Sequence, residues 1–142
     1  MRALLFVCAA VLLAACQTSQ PKPAVLDAAV VVTPPAAGVP VELAAFSGVW
    51  SGTWGQSLDG KLAVLTVAAD GAVTGLYAVG EAPGFFDAQS FGVTGQIVDG
   101  TLTFKLNTGI YARYRLQPDG TLAGEYTRFG TVTTGTFARV AV

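Results

Sequence analysis

The stretch Ala63-Val64-Leu65-Thr66-Val67-Ala68-Ala69-Asp70-Gly71-Ala72-Val73-Thr74-Gly75-Leu76-Tyr77 decides the fold of this chain. Two runs rich in β-branched and aromatic residues flank Asp-Gly, a dipeptide suited to a reversal whose backbone enters the left-handed region. A three-residue turn over Ala69-Asp70-Gly71, with Gly71 in that region, pairs Val67 with Val73, Leu65 with Gly75 and Ala63 with Tyr77. Side chains alternate across a strand, so all of these residues share one face. The segment reads as an antiparallel hairpin with one apolar side.

The pattern extends along the chain. Short alternating runs separated by Asp-Gly or Asn-x-Gly turns predict strands at 48–54, 61–68, 72–79, 91–98, 101–106, 110–117, 121–127 and 131–140. A two-residue turn at Asp99-Gly100 pairs Ile97 with Leu102, Gly95 with Phe104 and Val93 with Leu106. Asn107-Thr108-Gly109 pairs Leu106 with Ile110 and Phe104 with Ala112. Pro118-Asp119-Gly120 pairs Leu116 with Leu122, Tyr114 with Gly124 and Ala112 with Tyr126, and leaves Arg113 opposite Glu125 on the outer face. The hairpins around Asp70-Gly71 and Asp119-Gly120 share their pattern at an offset of 49 positions, one hairpin solution used twice.

Glycine and aromatic residues alternate in Gly52-Thr53-Trp54, Gly75-Leu76-Tyr77, Gly124-Glu125-Tyr126 and Gly135-Thr136-Phe137. Such a glycine lets a strand bend sharply and leaves room for a neighbouring ring. Eight strands with short connections and one apolar face are expected to close as an all-β, eight-stranded antiparallel up-and-down barrel over 46–142, which removes edge strands. A two-sheet sandwich is the alternative. Trp50, Trp54, Leu65, Phe104, Tyr114 and Phe137 are among the residues expected inside.

A family resemblance follows from these residues. Gly48-Val49-Trp50 and Gly52-Thr53-Trp54 resemble the Gly-x-Trp opening strand of the calycins, the superfamily of lipocalins, fatty-acid-binding proteins and avidins. Arg139 in the last strand is similar to the arginine that packs over that tryptophan, which implies a structural cation–π contact between Arg139 and Trp50. The stretch 52–77 resembles the first three strands of avidin-like proteins, but no tryptophan follows Trp54. Biotin binding is therefore not implied.

The expected interior carries no paired carboxylates, no activated lysine and no metal-ligand cluster, and the chain has no histidine. General acid–base chemistry needs titratable groups that converge, so no enzymatic activity, cofactor or metal is expected. Tight turns at Asp70, Asp99 and Asp119 should close one rim, together with Trp50 and Arg139. The other rim carries the long segment 80–90, in which Phe85 and Phe86 form either a flap over a mouth or a plug. The candidate ligand contacts are Trp54, Tyr77, Phe85, Phe86, Phe104, Tyr114, Tyr126 and Phe129.

Upstream of the barrel, Arg2, an apolar run and Leu13-Ala14-Ala15-Cys16 have the layout of a cleaved export signal over 1–15. An uncleaved membrane helix and an ordinary, non-lipidated signal are the alternatives, although the apolar run is short of the ~20 residues that span a bilayer. The stretch looks like a bacterial lipobox, a resemblance that implies acylation of Cys16. Gln17, rather than aspartate, resembles the outer-membrane sorting pattern of enteric bacteria. The proline-rich stretch 16–45 reads as a semi-extended linker whose Val30-Val31-Val32 either packs on a surface or stays solvated, and Pro40 is placed to start one helical turn.

With Cys8 lost and Cys16 acylated, no disulfide supports the domain. The formal net charge of −1 and a charged fraction of 12% argue against nucleic acid as a partner. The reading is a monomeric, lipid-anchored periplasmic module that binds a small apolar or amphipathic molecule. A plugged barrel that acts as a protein-interaction or inhibitor module of the cell envelope is the alternative.

Overall fold

An alternating chain with one apolar face can hide that face without a second layer only by curling around it. In a computed structural model, which describes residues 18–26 and 29–141, the chain does this. One helical turn, α1 (Val41–Ala44), leads into β1 (Gly48–Trp54), β2 (Leu58–Val67), β3 (Ala72–Val79) and β4 (Gln89–Val98). The chain continues through β5 (Thr101–Asn107), β6 (Ile110–Leu116), β7 (Leu122–Arg128) and β8 (Thr131–Val140). Each strand is antiparallel to its sequence neighbours, and β8 pairs with β1, so the barrel is closed and the sandwich is excluded. Cys16 and the signal-like stretch lie outside the described residues.

Most of the expected register is present. Val67 pairs with Val73, Ile97 with Leu102, Gly95 with Phe104, Phe104 with Ala112, and Tyr114 with Gly124. Arg113 faces Glu125 across the outer surface, and its guanidinium lies 5.2 Å from the Tyr111 ring centroid. Asp99 and Gly100 both take positive φ, 49° and 74°, as a two-residue reversal between twisted strands requires.

Four expected pairings, at three places, are corrected. A bulge between Val64 and Thr66 shifts the β2–β3 ladder, so Val64 pairs with Gly75 and Leu62 with Tyr77. Leu62 and Val64 are thereby fully buried, while Leu65 is only half-buried. Two large residues fill the interior where the unbulged register would have placed Ala63, and the bulge adds curvature. It also turns the Leu65 carbonyl outward, where it accepts a hydrogen bond from Thr33 N–H at 2.9 Å. A second irregularity, between Lys105 and Asn107, replaces the Leu106–Ile110 pair with Asn107 opposite Ile110. Finally, the β4–β5 pairs run from Val98–Thr101 to Gly95–Phe104 and stop there, so Val93 and Leu106 do not pair.

The proline-rich stretch lies partly against the barrel. Lys22 N–H donates to the Glu81 carboxylate at 2.9 Å, Ala24 N–H to the Asp59 carboxylate at 2.8 Å, and Glu81 N–H to the Lys22 carbonyl at 2.8 Å. Ala24 is fully buried, as are the outward-facing Ala63 and Ala78. Elsewhere the outer face carries Thr, Ser, Lys and Arg at alternating positions, the reverse of a barrel whose outside meets lipid. Among the described residues no helix is long and apolar enough to cross a membrane.

The closed end is sealed from below. Phe46, at the exit of α1, is 1% exposed, and its carbonyl accepts the Trp50 indole N–H at 3.0 Å. Arg139, the register partner of Trp50, lays its guanidinium 4.2 Å from the indole centroid, so the contact implied by the resemblance is present. The same guanidinium donates to the carbonyls of Ala45, at 2.7 Å, and Ser47. One side chain thus ties α1 and the start of β1 to the last strand. Nearby, Gln96 donates to the Asp70 carbonyl at 2.6 Å and Ile97 N–H to the Gly71 carbonyl at 2.8 Å, which laces the turns of this rim together.

Arg139→Ala should lower stability by about 1–2 kcal/mol, since it removes a partly exposed cation–π contact and two charge-assisted bonds. Arg139→Lys should recover less than half of that, because an ammonium cannot bridge two carbonyls while stacked on a ring. Urea denaturation of the three proteins measures both effects, and an Arg139→Lys variant as stable as the parent would contradict the stacked-fork account.

Candidate functional site

The interior is divided by Trp54. Its indole lies against three inward-facing backbone positions that have no side chain. A Cβ at Gly60 would come 2.9 Å from Nε1, one at Gly124 2.8 Å from Cη2, and one at Gly135 3.0 Å from Cε3. These glycines come from β2, β7 and β8, so the ring crosses the barrel. Phe137 stacks edge-on at 4.8 Å between centroids, and Tyr114 and Tyr126 follow at 5.8 and 5.9 Å. The alternation of glycine and aromatic residues was legible in the sequence; which ring covers which glycine was not.

On one side of Trp54 the barrel is filled. Phe104 and Phe137 are fully buried, Tyr114 is nearly so, and Leu102 and Leu122 complete the packing. On the other side lies a cavity of about 590 Å³ that opens at the rim formed by 55–60, 80–90, 107–109 and 128–130. Of the expected ligand contacts, Trp54, Tyr77, Phe85, Phe86 and Tyr126 line it. Phe104 and Tyr114 belong to the filled half, and Phe129 sits outside on the rim, 73% exposed.

Several lining residues escaped the sequence reading as contacts. Leu58 and Val79 lie in strand ends that extend to the mouth, and Phe91, whose ring is 5.5 Å from Tyr77, faces in as the register partner of that residue. Among the described residues, Arg128 is the one charged side chain on the lining, exposed at the rim. A cation at the end of a strand resembles any solvated terminus, so nothing in the sequence marked it.

The long segment divides its two aromatics. Ala82 and Phe86 form an isolated bridge, with Ala82 N–H donating to the Phe86 carbonyl at 3.0 Å. That small loop turns Phe86 in against the core and leaves Phe85 88% exposed. Across the mouth, Phe129 has φ of 47°, a conformation uncommon for a bulky residue, and its ring covers Gly109. The mouth thus carries both a half-closed flap and an aromatic tip.

Besides Gln89, Asn107, Arg128 and Thr133 on the cavity lining, the polar groups inside are phenols and one indole. Burial pushes the Tyr77 hydroxyl far above its ordinary value of 10, with a further rise from the neighbouring Tyr126 and a partial offset from the Trp54 indole. Burial, and then Tyr77, do the same to Tyr114. Both are neutral hydrogen-bonding groups at any physiological pH. Trp54 Nε1 is buried and, among the described residues, has no partner in full hydrogen-bond geometry. Among the described residues, no three His, Cys, Asp or Glu side chains converge.

No family model matches this chain, and a search of curated proteins finds no match either.

Two predictions follow from this packing. Trp54→Ala should cost about 3–5 kcal/mol as a large-to-small core change; a loss under about 1 kcal/mol in chemical denaturation would show that the ring does not organise the interior. The alkaline limb of stability carries the second. Because Tyr77 and Tyr114 have raised values in the folded barrel, the unfolded chain releases their protons first. Their contribution is whole below about pH 10 and is lost above it, at up to about 1.4 kcal/mol per pH unit for each phenol. Ultraviolet titration should show Tyr77 and Tyr114 withheld from ionisation until the barrel opens. Ionisation of all four tyrosines near pH 10 with the near-ultraviolet dichroism intact would contradict it.

Proposed function

We propose that this chain is a non-catalytic binding module that holds a small apolar or amphipathic molecule in its barrel. The observation that carries the reading is the half-filled interior. A cavity of about 590 Å³, open at one rim and walled mostly by aromatic and aliphatic side chains, suits a small molecule, whose sites occupy roughly 300–1,000 Å³. Convergent polar groups are few, as in sites that select by shape and orient by one or two hydrogen bonds. The cationic rim residue Arg128 suits an amphipathic ligand as well as a neutral one.

The module belongs, in this reading, on the periplasmic face of the outer membrane. Support comes from Leu13-Ala14-Ala15-Cys16 and Gln17, whose resemblance to a lipobox and its sorting signal gives the chain an acylated N-terminus. Two or more acyl chains make an anchor durable, since each buried methylene adds ~0.8 kcal/mol. The membrane is then the partner through the lipid, and the barrel itself acts as a monomer.

A second reading has its own observation. Phe85, Phe129 and Val132 are 88%, 73% and 54% exposed around the mouth, an apolar rim suited to docking an envelope protein.

Titration with medium-chain fatty acids, followed by tryptophan emission, tests the first reading. Saturable binding is expected, weakened about tenfold when Phe85 and Phe86 are both changed to Ser, the loss that follows from removing one ring's worth of apolar contact. If native mass spectrometry without detergent finds neither a bound nor a bindable apolar molecule, the ligand reading fails. Capture of one identified envelope protein that is lost in the same variant would then establish the docking reading. Metabolic labelling with palmitate should mark the parent and not Cys16→Ser.

A further inference from the structure

The chain has two tryptophans, and they are treated differently. Trp50, at the sealed end, gives its indole N–H to the Phe46 carbonyl at 3.0 Å. Trp54, on the cavity, is 2% exposed, and among the described residues its N–H has no acceptor in full hydrogen-bond geometry. A buried donor without an acceptor is destabilising, and native interiors seldom leave one so. Its position has a structural cause. Residue 60 is glycine, so the Nε1 edge is not covered by a side chain, and any Cβ there would stand 2.9 Å from the nitrogen.

Tyr77 shares that side of the cavity. It stands on β3 two positions before Val79, the register partner of Gly60, and both Tyr77 and Val79 line the cavity. The Trp54 indole N–H is close enough to the Tyr77 oxygen to act on it as a donor and offset part of the effect of its burial, but the pair falls short of full hydrogen-bond geometry. The phenol stays protonated, so it offers a donor beside the indole N–H. Trp54 and Tyr77 both line a pocket whose other walls are mostly apolar, with Val79, Leu106 and Ile110 among them and the polar Gln89, Asn107, Arg128 and Thr133 beside them.

We propose, on the ligand-binding reading above, that the ligand enters polar end first and places a neutral carbonyl-type oxygen, as in a ketone, ester or amide, between Trp54 Nε1 and the Tyr77 hydroxyl. A carbonyl oxygen has two lone pairs and accepts from both donors at once. A carboxylate does not fit the floor, because an ionised group there would be stripped of water with no cation to offset it. The cation on the lining, Arg128, is at the exposed rim, so a charged head would stay at the mouth. The apolar remainder of the ligand runs from the floor toward Phe86.

The test uses three probes of equal chain length on the full chain: methyl heptyl ketone, nonane and nonanoate, each displacing bound phenylnaphthylamine. Amide and indole resonances of nitrogen-15-labelled protein are recorded alongside, with the Trp50 indole peak as the internal reference. The ketone should bind at least about fivefold more tightly than nonane, the gain of one or two hydrogen bonds. It should move the Trp54 indole proton downfield and leave Trp50 in place. Tyr77→Phe, which removes only a hydroxyl, should cost the ketone about fivefold and leave nonane unchanged.

Equal affinities for ketone and nonane, or a Trp54 resonance that the ketone does not move, would overturn the carbonyl clamp while leaving the ligand-binding reading standing. Tighter binding of nonanoate than of the ketone would overturn the neutral-head assignment in the same way. If no probe binds and phenylnaphthylamine does not enter, both this proposal and the reading beneath it fall.

Discussion

The contact on which the rest of this protein depends is that of the Trp54 indole with bare backbone. A ring of that size crosses an eight-stranded barrel only if the opposing wall is stripped of side chains where the ring arrives. Gly60, Gly124 and Gly135 do this from three different strands. Once in place the indole sorts the interior into two halves. Phe137 and Tyr114 pack against it in the filled half, and the cavity begins where they end. Small barrels can be filled entirely by their side chains. Here the large rings are concentrated on one side of Trp54, and space remains on the other.

The filled end is held by a different device. Arg139 lies on Trp50 and reaches two carbonyls of the segment that enters β1, so the first and last strands are joined by a side chain as well as by the ladder. Phe46 completes the floor from outside the strands. At the other end the pairing of β4 with β5 stops at Gly95 and Phe104 and the walls part. Phe91 and Leu106 then face the cavity on either side of the parting, which widens the mouth without opening the barrel elsewhere.

The chain before the barrel is also more than a spacer. Hydrogen bonds from Lys22, Ala24 and Thr33 reach β2 and the segment after β3, and Ala24 is fully buried. An extended segment that satisfies its backbone against a barrel wall shortens the free tether between that wall and the N-terminus. If Cys16 carries acyl chains, the cavity is held nearer the bilayer than the residue count of the linker suggests.

The sequence by itself determined the strand count, the closure and most of the register, because turn chemistry and two-residue alternation are local properties and each Asp-Gly fixes the pairing on both sides of it. It also showed the glycine-aromatic steps, Trp50 with Arg139, and five of the residues that line the cavity. It did not determine the β2 bulge at Leu65. That choice weighs Leu62 and Val64 against Ala63 and Leu65 as core filling and requires knowledge of what lies across the barrel. For the same reason it placed Phe104 and Tyr114 at the ligand and overlooked Phe91 and Arg128: alternation tells which way a side chain points, and depth along the barrel axis is set by which rings stack beneath it. Whether an inward residue becomes core or cavity wall was decided by tertiary packing alone, through the plane in which Trp54 comes to rest.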